Sequence, residues 1–159
     1  MKISLVCVGK IKEKYLTAGI EEFSKRLGPF CKLETIAIAE ERMPDNPAPA
    51  LRQQVLERES RRLAEIIPQG SYVILLDVVG AQLSSPELAV KLGELALSGQ
   101  SHISFVIGGA FGFTDTLRRR ADLCLSFSKM TFTHQMIRLL LLEQIYRAFK
   151  ILRGEPYHL

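Results

Sequence analysis

Cysteine is scarce in this chain, and its placement excludes two architectures. Cys7, Cys31 and Cys124 are odd in number and far apart. They offer neither a disulfide framework nor a metal knuckle, which suits a reducing cytoplasm. The three histidines, His102, His134 and His158, show no metal-ligand spacing and no neighbouring cysteine, so no metal is expected. Long hydrophobic runs are missing too, which argues against a membrane span. The apolar stretch Ile3 to Val8 is too short for a signal-peptide core and no small-residue cleavage site follows it. There is no internal repeat, no low-complexity tract and no Gly-x-Ser-x-Gly elbow, and no carboxylate pair stands out as an acid/base couple. The turn Gly9-Lys10-Ile11-Lys12 lacks both a dinucleotide fingerprint and a phosphate-binding loop, which disfavours an ordinary Rossmann nucleotide site.

What remains is an ordinary globular composition: 159 residues, 47% hydrophobic and 24% charged, enough for one domain with a single core over 1–159. Net charge is +4 and unevenly spread. Residues 118–159 hold 8 Lys/Arg against 3 Asp/Glu, a net of +5, whereas residues 71–117 are net −3. A phosphate-binding footprint and a solvated helix face account for that basic quarter equally well.

Strand and helix patterns alternate. Strands are expected at Ile3 to Val8, Leu33 to Ile38, Tyr72 to Leu76 (ending at Asp77), His102 to Ile107 and Leu123 to Phe127. Helices are expected from Leu16 to Leu27, up to about Ile67, after the Ser84-Ser85-Pro86-Glu87 start, briefly after Thr114-Asp115, and from about His134 to Arg153. This alternation predicts a parallel sheet with helices on both faces, a three-layer α/β/α domain. Ligands bind off the carboxyl ends of such strands, here after Leu76, Ile107 and Phe127. Gly108-Gly109-Ala110-Phe111-Gly112 reads as a ligand loop, since glycine lets backbone approach a ligand closely. The segment from Phe127 to Gln135 reads equally as a pocket wall or as a packed connection capped by Thr133. Apolar positions on the last helix cover more than one stripe, which predicts burial on two sides, by the sheet and by a second subunit. Glu143 and Arg147 are spaced to pair along that helix.

Several motifs in order carry a resemblance over the whole chain. They are the opening Met1-Lys2-Ile3, Val8-Gly9-Lys10, the glycine loop, Leu-Ser-Phe-Ser-Lys-Met-Thr-Phe at 125–132, and His134-Gln135-Met136 with Arg138. Glu143-Gln144-x-Tyr146-Arg147-Ala148 and the closing Pro156-Tyr157-His158 complete the set. Together they resemble the RlmH family of SPOUT-class methyltransferases, which methylate N3 of a pseudouridine in large-subunit (23S) ribosomal RNA. The resemblance implies a C-terminal trefoil knot (the SPOUT, or α/β-knot, fold), a homodimer, and S-adenosyl-L-methionine as cofactor with S-adenosylhomocysteine as product. It further implies a cytoplasmic enzyme acting on the assembled 70S ribosome. Leu76, Gly108 and the run Phe127, Ser128, Lys129, Met130, Thr131 and Phe132 match the family's cofactor-binding positions, with Gly109 beside them in the glycine loop. Thr133 departs from the proline that relatives carry.

The reaction implied needs the imide proton of the acceptor removed or its anion stabilised. His158 is the first candidate base, with His134 as competitor. Arg147 and Arg138 are candidates for stabilising the anion or holding flanking phosphates, and Glu143 for orienting an arginine. Arg118, Arg119, Arg120, His134, Arg138 and Tyr157 form the set expected to contact RNA. Methylation of another RNA position, a non-catalytic ribosome-binding factor and a plain dimer module are the alternatives.

Overall fold

The computed structural model describes residues 1–157. Five strands and five helices alternate in chain order: β1 (Lys2–Val8), α1 (Lys14–Leu27), β2 (Lys32–Ile38), α2 (Pro49–Ile66), β3 (Tyr72–Gln82), α3 (Ser85–Leu97), β4 (His102–Ile107), α4 (Asp115–Arg120), β5 (Leu123–Ser126) and α5 (Met136–Leu152). The strands form one sheet in the order β2-β1-β4-β3-β5, and every pairing is parallel. The central strands read as continuous apolar runs because both faces are covered. Ile3, Leu5 and Cys7 of β1, with Ile103, Phe105 and Ile107 of β4, face α1, α3 and α5. Val6, Val8 and Val106 face α2 and α4 on the other side.

Several expected boundaries shift by a residue or more, and two of the shifts have an identifiable reason. β3 does not end at Asp77 but resumes and runs to Gln82. Leu76 and Ala81 both pair with Leu125, so residues 77–80 loop out between two stretches of ladder. Gly80 makes this possible, because a Cβ there would lie 2.6 Å from the carbonyl carbon and oxygen of Cys124. α5 starts at Met136, two residues later than expected. Thr133 acts as the cap instead: its hydroxyl accepts from Met136 N–H at 3.1 Å and its carbonyl from Ile137 N–H at 3.1 Å. The Ser84 start forms a full capping box with Glu87.

The second buried side of α5 is supplied by the chain itself. Leu141, Leu142, Ile145 and Ala148 pack in the same core as α1 and α3, so the apolar excess on this helix does not by itself call for another subunit. No helix of the described residues is long and apolar enough to cross a membrane.

Candidate functional site

Because the strands run parallel, the carboxyl ends of β3, β4 and β5 come together at one edge of the sheet. They bound a cleft of about 780 Å³, within the range of small-molecule sites. Leu76, Gly108, Gly109, Phe127, Ser128, Met130, Thr131 and Phe132 all line it. Lys129 is exposed and does not belong to the wall. Gly108 must be glycine on packing grounds, since a Cβ would sit 2.9 Å from the Gly112 carbonyl. A Cβ on Gly109 would overlap the Glu59 carboxylate. Glu59 is only 3% exposed, and burial, aided by Glu40 and Glu41, pushes its carboxyl above the usual range. Its Oε1 accepts from Glu41 N–H at 3.3 Å. The glycine loop thus rests on a buried side chain of α2. The Ser128 hydroxyl accepts from Met130 N–H at 3.0 Å and the Ser126 hydroxyl donates to the Ser128 carbonyl at 2.9 Å, which fixes the wall's backbone.

Five contributors are not singled out as site residues by the sequence. Glu13, Tyr15 and Leu16 reach the cleft from the start of α1, and Asp77 and Val78 from the β3 loop. The β1–α1 turn lacks a nucleotide fingerprint, yet it is held at the cleft by Lys12 N–H donating to Gln135 Oε1 at 2.9 Å. Asp77 is held by Arg118 Nε at 2.6 Å.

Arg118, Arg119 and Arg120 differ in exposure: Arg118 is half-buried, whereas Arg119 and Arg120 are exposed. Arg118 is engaged by Asp77 and Asp115, Arg120 donates to the Ala64 carbonyl at 2.8 Å, and Arg119 reaches Thr116 Oγ1 at 3.5 Å. Arg138 also departs from expectation. It is 4% exposed, and its Nη2 donates to the carbonyls of Val8 and Gly9, the latter at 2.9 Å. A guanidinium so enclosed locks α5 to the end of β1 and is not placed to meet an RNA phosphate.

His134 lines the cleft. Its Nε2 is buried without a hydrogen-bond partner, 3.7 Å from Glu40 Oε1. Burial lowers its pKa from 6.5, as do Arg138 and Lys12, while Glu40 opposes them. A histidine held low is neutral in the folded state while the unfolded chain takes up the proton. Its stabilising contribution is therefore present above about pH 6.5 and declines as pH falls toward the folded value. His134→Gln is expected to flatten the dependence of the urea midpoint on pH between about 5 and 7. An unchanged slope would place the whole effect elsewhere, since His102 is also held low by burial.

A second pocket of about 320 Å³ adjoins the cleft, sharing Leu125, Phe127 and Phe132 with it and lined further by Glu143 and Gln144. Glu143 Oε1 accepts from Arg147 Nη2 at 2.6 Å, from Arg147 Nε at 3.1 Å and from Tyr157 Oη at 3.1 Å. The Arg147 guanidinium lies 4.8 Å from the Tyr157 ring centre, and that ring meets Tyr146 edge-on at 4.9 Å. The tail therefore folds back on α5. His158 lies outside the described residues. Among the described residues no group of three or more His, Cys, Asp or Glu is placed to hold a metal ion.

A family model described as "Predicted SPOUT methyltransferase" matches residues 1–158. A relative from Acetivibrio thermocellus, named Ribosomal RNA large subunit methyltransferase H, is 52% identical over 158 residues, covering 99% of each chain. Relatives of the same name from Bifidobacterium adolescentis and Halothermothrix orenii are 51% and 52% identical over the same span. Among solved structures, a probable methylase family protein from Haemophilus influenzae Rd KW20 aligns with a TM-score of 0.54 at 13% identity, covering 99% of this chain and 70% of that one. The Legionella pneumophila protein Lpg2936, in complex with the bound cofactor SAM, aligns with a TM-score of 0.51 at 13% identity, covering 94% of this chain and 66% of that one. These structures share the fold. The full-length match and the half-identical relatives decide the family: the chain belongs to the SPOUT methyltransferases.

Proposed function

We propose that the chain methylates N3 of a pseudouridine in 23S ribosomal RNA, as a cytoplasmic homodimer acting on the assembled 70S ribosome. The observation that carries this reading is the convergence of three strand ends on one cleft. Eight of the nine residues expected to hold S-adenosyl-L-methionine line it. When bound, this group supplies an activated methyl on a cationic sulfur. The chain's own residues hold and orient. Gly108 and Gly109 offer main chain at close approach, and the 127–132 segment closes the other wall with Phe127, Met130 and Phe132.

The acceptor nitrogen must lose its proton before it can attack. Burial keeps His134 neutral near pH 7, so the ring is able to accept a proton, but its Nε2 is enclosed against Glu40. That enclosure favours His158 as base and leaves His134 a positioning role. Glu143 fixes Arg147 for the negative charge that develops on the acceptor's carbonyl oxygens. Burial and the neighbouring Glu143 carboxylate raise the Tyr157 phenol, so it remains a donor throughout the neutral range.

The test is transfer of labelled methyl from S-adenosyl-L-methionine to 70S particles, isolated large subunits and free RNA from cells lacking this protein, with the product mapped by mass spectrometry. A methylated pseudouridine formed on 70S particles is expected. Transfer to another nucleotide would discard the acceptor while keeping the enzyme class, and binding to ribosomes without transfer would leave a binding factor. In the same assay His158→Ala is expected to lower kcat, and unchanged turnover would remove the tail histidine as base.

A further inference from the structure

Arg118 and Arg138 are engaged within the chain. Of the arginines expected to meet RNA, Arg119 and Arg120 stay exposed, and docking at the cleft calls for groups nearer to it. The cleft mouth supplies a candidate. Eight large apolar or aromatic side chains are exposed in the described residues, and four of them, Tyr15, Val78, Met130 and Phe132, line this one cleft. Tyr15 is 62% exposed and stands at the start of α1. Lys10, Lys12 and Lys14 precede it, all exposed. Lys129 is exposed on the segment opposite. The acids nearby are Glu13, Asp77 and Glu40; Asp77 is held by Arg118, and Glu40 is faced by Lys12 and His134. The turn is held in place through the backbone of Lys12; the Lys10 and Lys14 side chains are exposed, and that of Lys12 stays 70% exposed beside Glu40 at 3.8 Å.

An exposed ring among cations suits an unpaired nucleotide. The ring face stacks on a base, and the ammonium groups neutralise the flanking phosphates. We propose that the β1–α1 turn is the RNA-docking rim of the cleft, with Tyr15 as the stacking platform for an unpaired base and Lys10, Lys12 and Lys14 as phosphate contacts. This rests on the RNA methyltransferase reading above and adds the surface that presents the substrate.

The experiment measures steady-state methylation of 70S particles lacking the methyl group, with S-adenosyl-L-methionine affinity and the dimer mass measured on the same preparations. Tyr15→Leu is expected to raise KM for the particles about tenfold, within the range of one base–aromatic stack. Tyr15→Phe and Tyr15→Trp should restore it; because Tyr15 also borders the cofactor cleft, KM for the particles is read at saturating S-adenosyl-L-methionine, and self-association should stay unchanged. Lys10→Gln, Lys12→Gln and Lys14→Gln combined should lower the slope of log KM against log salt by about two, as expected for three lost phosphate contacts on single-stranded RNA. Unchanged KM in Tyr15→Leu overturns the stacking platform, and an unchanged salt slope overturns the lysine contacts. A KM that returns to the wild-type value once S-adenosyl-L-methionine is saturating would make Tyr15 a wall of the cofactor cleft only, and loss of the dimer would make it an interface residue; either overturns the proposal. An inactive wild type on every ribosomal substrate would instead defeat the underlying function.

Discussion

Gly80→Ala is expected to be among the most damaging single methyl additions in this chain. The new Cβ would lie 2.6 Å from Cys124 C and O and 2.7 Å from Leu125 N. All three are backbone atoms of β5, which cannot swing aside as a side-chain tip can. Relief requires β5 to part from β3 where the ladder resumes at Ala81 and Gln82. That movement also releases the loop holding Asp77 and Val78 at the cleft. A cost of about 3 kcal/mol or more is expected from an overpacked, backbone-limited contact. For a chain of this length it corresponds to a melting temperature lower by roughly 10 °C. Gly70→Ala is the control. Gly70 has φ +74° but nothing within 4 Å of its would-be Cβ, so only backbone strain of about 1–2 kcal/mol applies. Thermal unfolding of both variants checks the ordering. A Gly80→Ala protein as stable as Gly70→Ala would mean the β3–β5 approach is looser than described.

That same loop shows where sequence reading runs out. β1 and β4 are legible because burial on both faces leaves a continuous apolar signature in the residues themselves. The cleft is legible in outline, since parallel strands must deliver their carboxyl ends to one edge and three such ends carry small or polar residues. What sequence does not show is set by partners far along the chain. Arg118 is an RNA candidate in sequence and an Asp77 partner in the fold, 41 residues away. Arg138 looks like a free cation on a helix, yet it serves β1 carbonyls about 130 residues away. Tyr15 carries no signal at all, because exposure of an aromatic at the start of an amphipathic helix depends on which neighbours cover it. The knot implied by the family resemblance lies beyond periodicity for a related reason: threading is a property of the chain's path and leaves no local residue pattern. The lesson for Glu143 and Arg147 is the opposite. Their spacing predicts the pair, and the structure adds that Tyr157 closes over it.

That closure makes Glu143→Gln the second large effect expected. Glu143 Oε1 alone collects Arg147 Nη2, Arg147 Nε and the Tyr157 hydroxyl, and its Oε2 accepts from Gln144 Nε2 at 2.8 Å. Gln144 Oε1 in turn accepts from Ser85 on α3 at 2.6 Å. An amide in place of the Glu143 carboxylate would keep the shape of the group but replace one acceptor oxygen with a donor and remove the charge that orients the guanidinium. Both partners remain about a quarter exposed or less, so the guanidinium is held in a partly desolvated setting where its orientation matters. Removing one preorganised electrostatic group from an active site lowers kcat by about 10²–10³, and a fall of about 10² is expected here. Cofactor affinity should be unchanged, because neither residue lines the larger cleft. Arg147→Lys should produce a similar fall, since an ammonium cannot reproduce the two-point contact with one carboxylate oxygen. If the two residues act as one unit, the double variant loses little more than either single one. Single-turnover methylation with saturating cofactor separates this from a docking defect. A loss confined to KM, or additive losses in the double variant, would place Arg147 on the RNA-binding surface and leave charge stabilisation to another group.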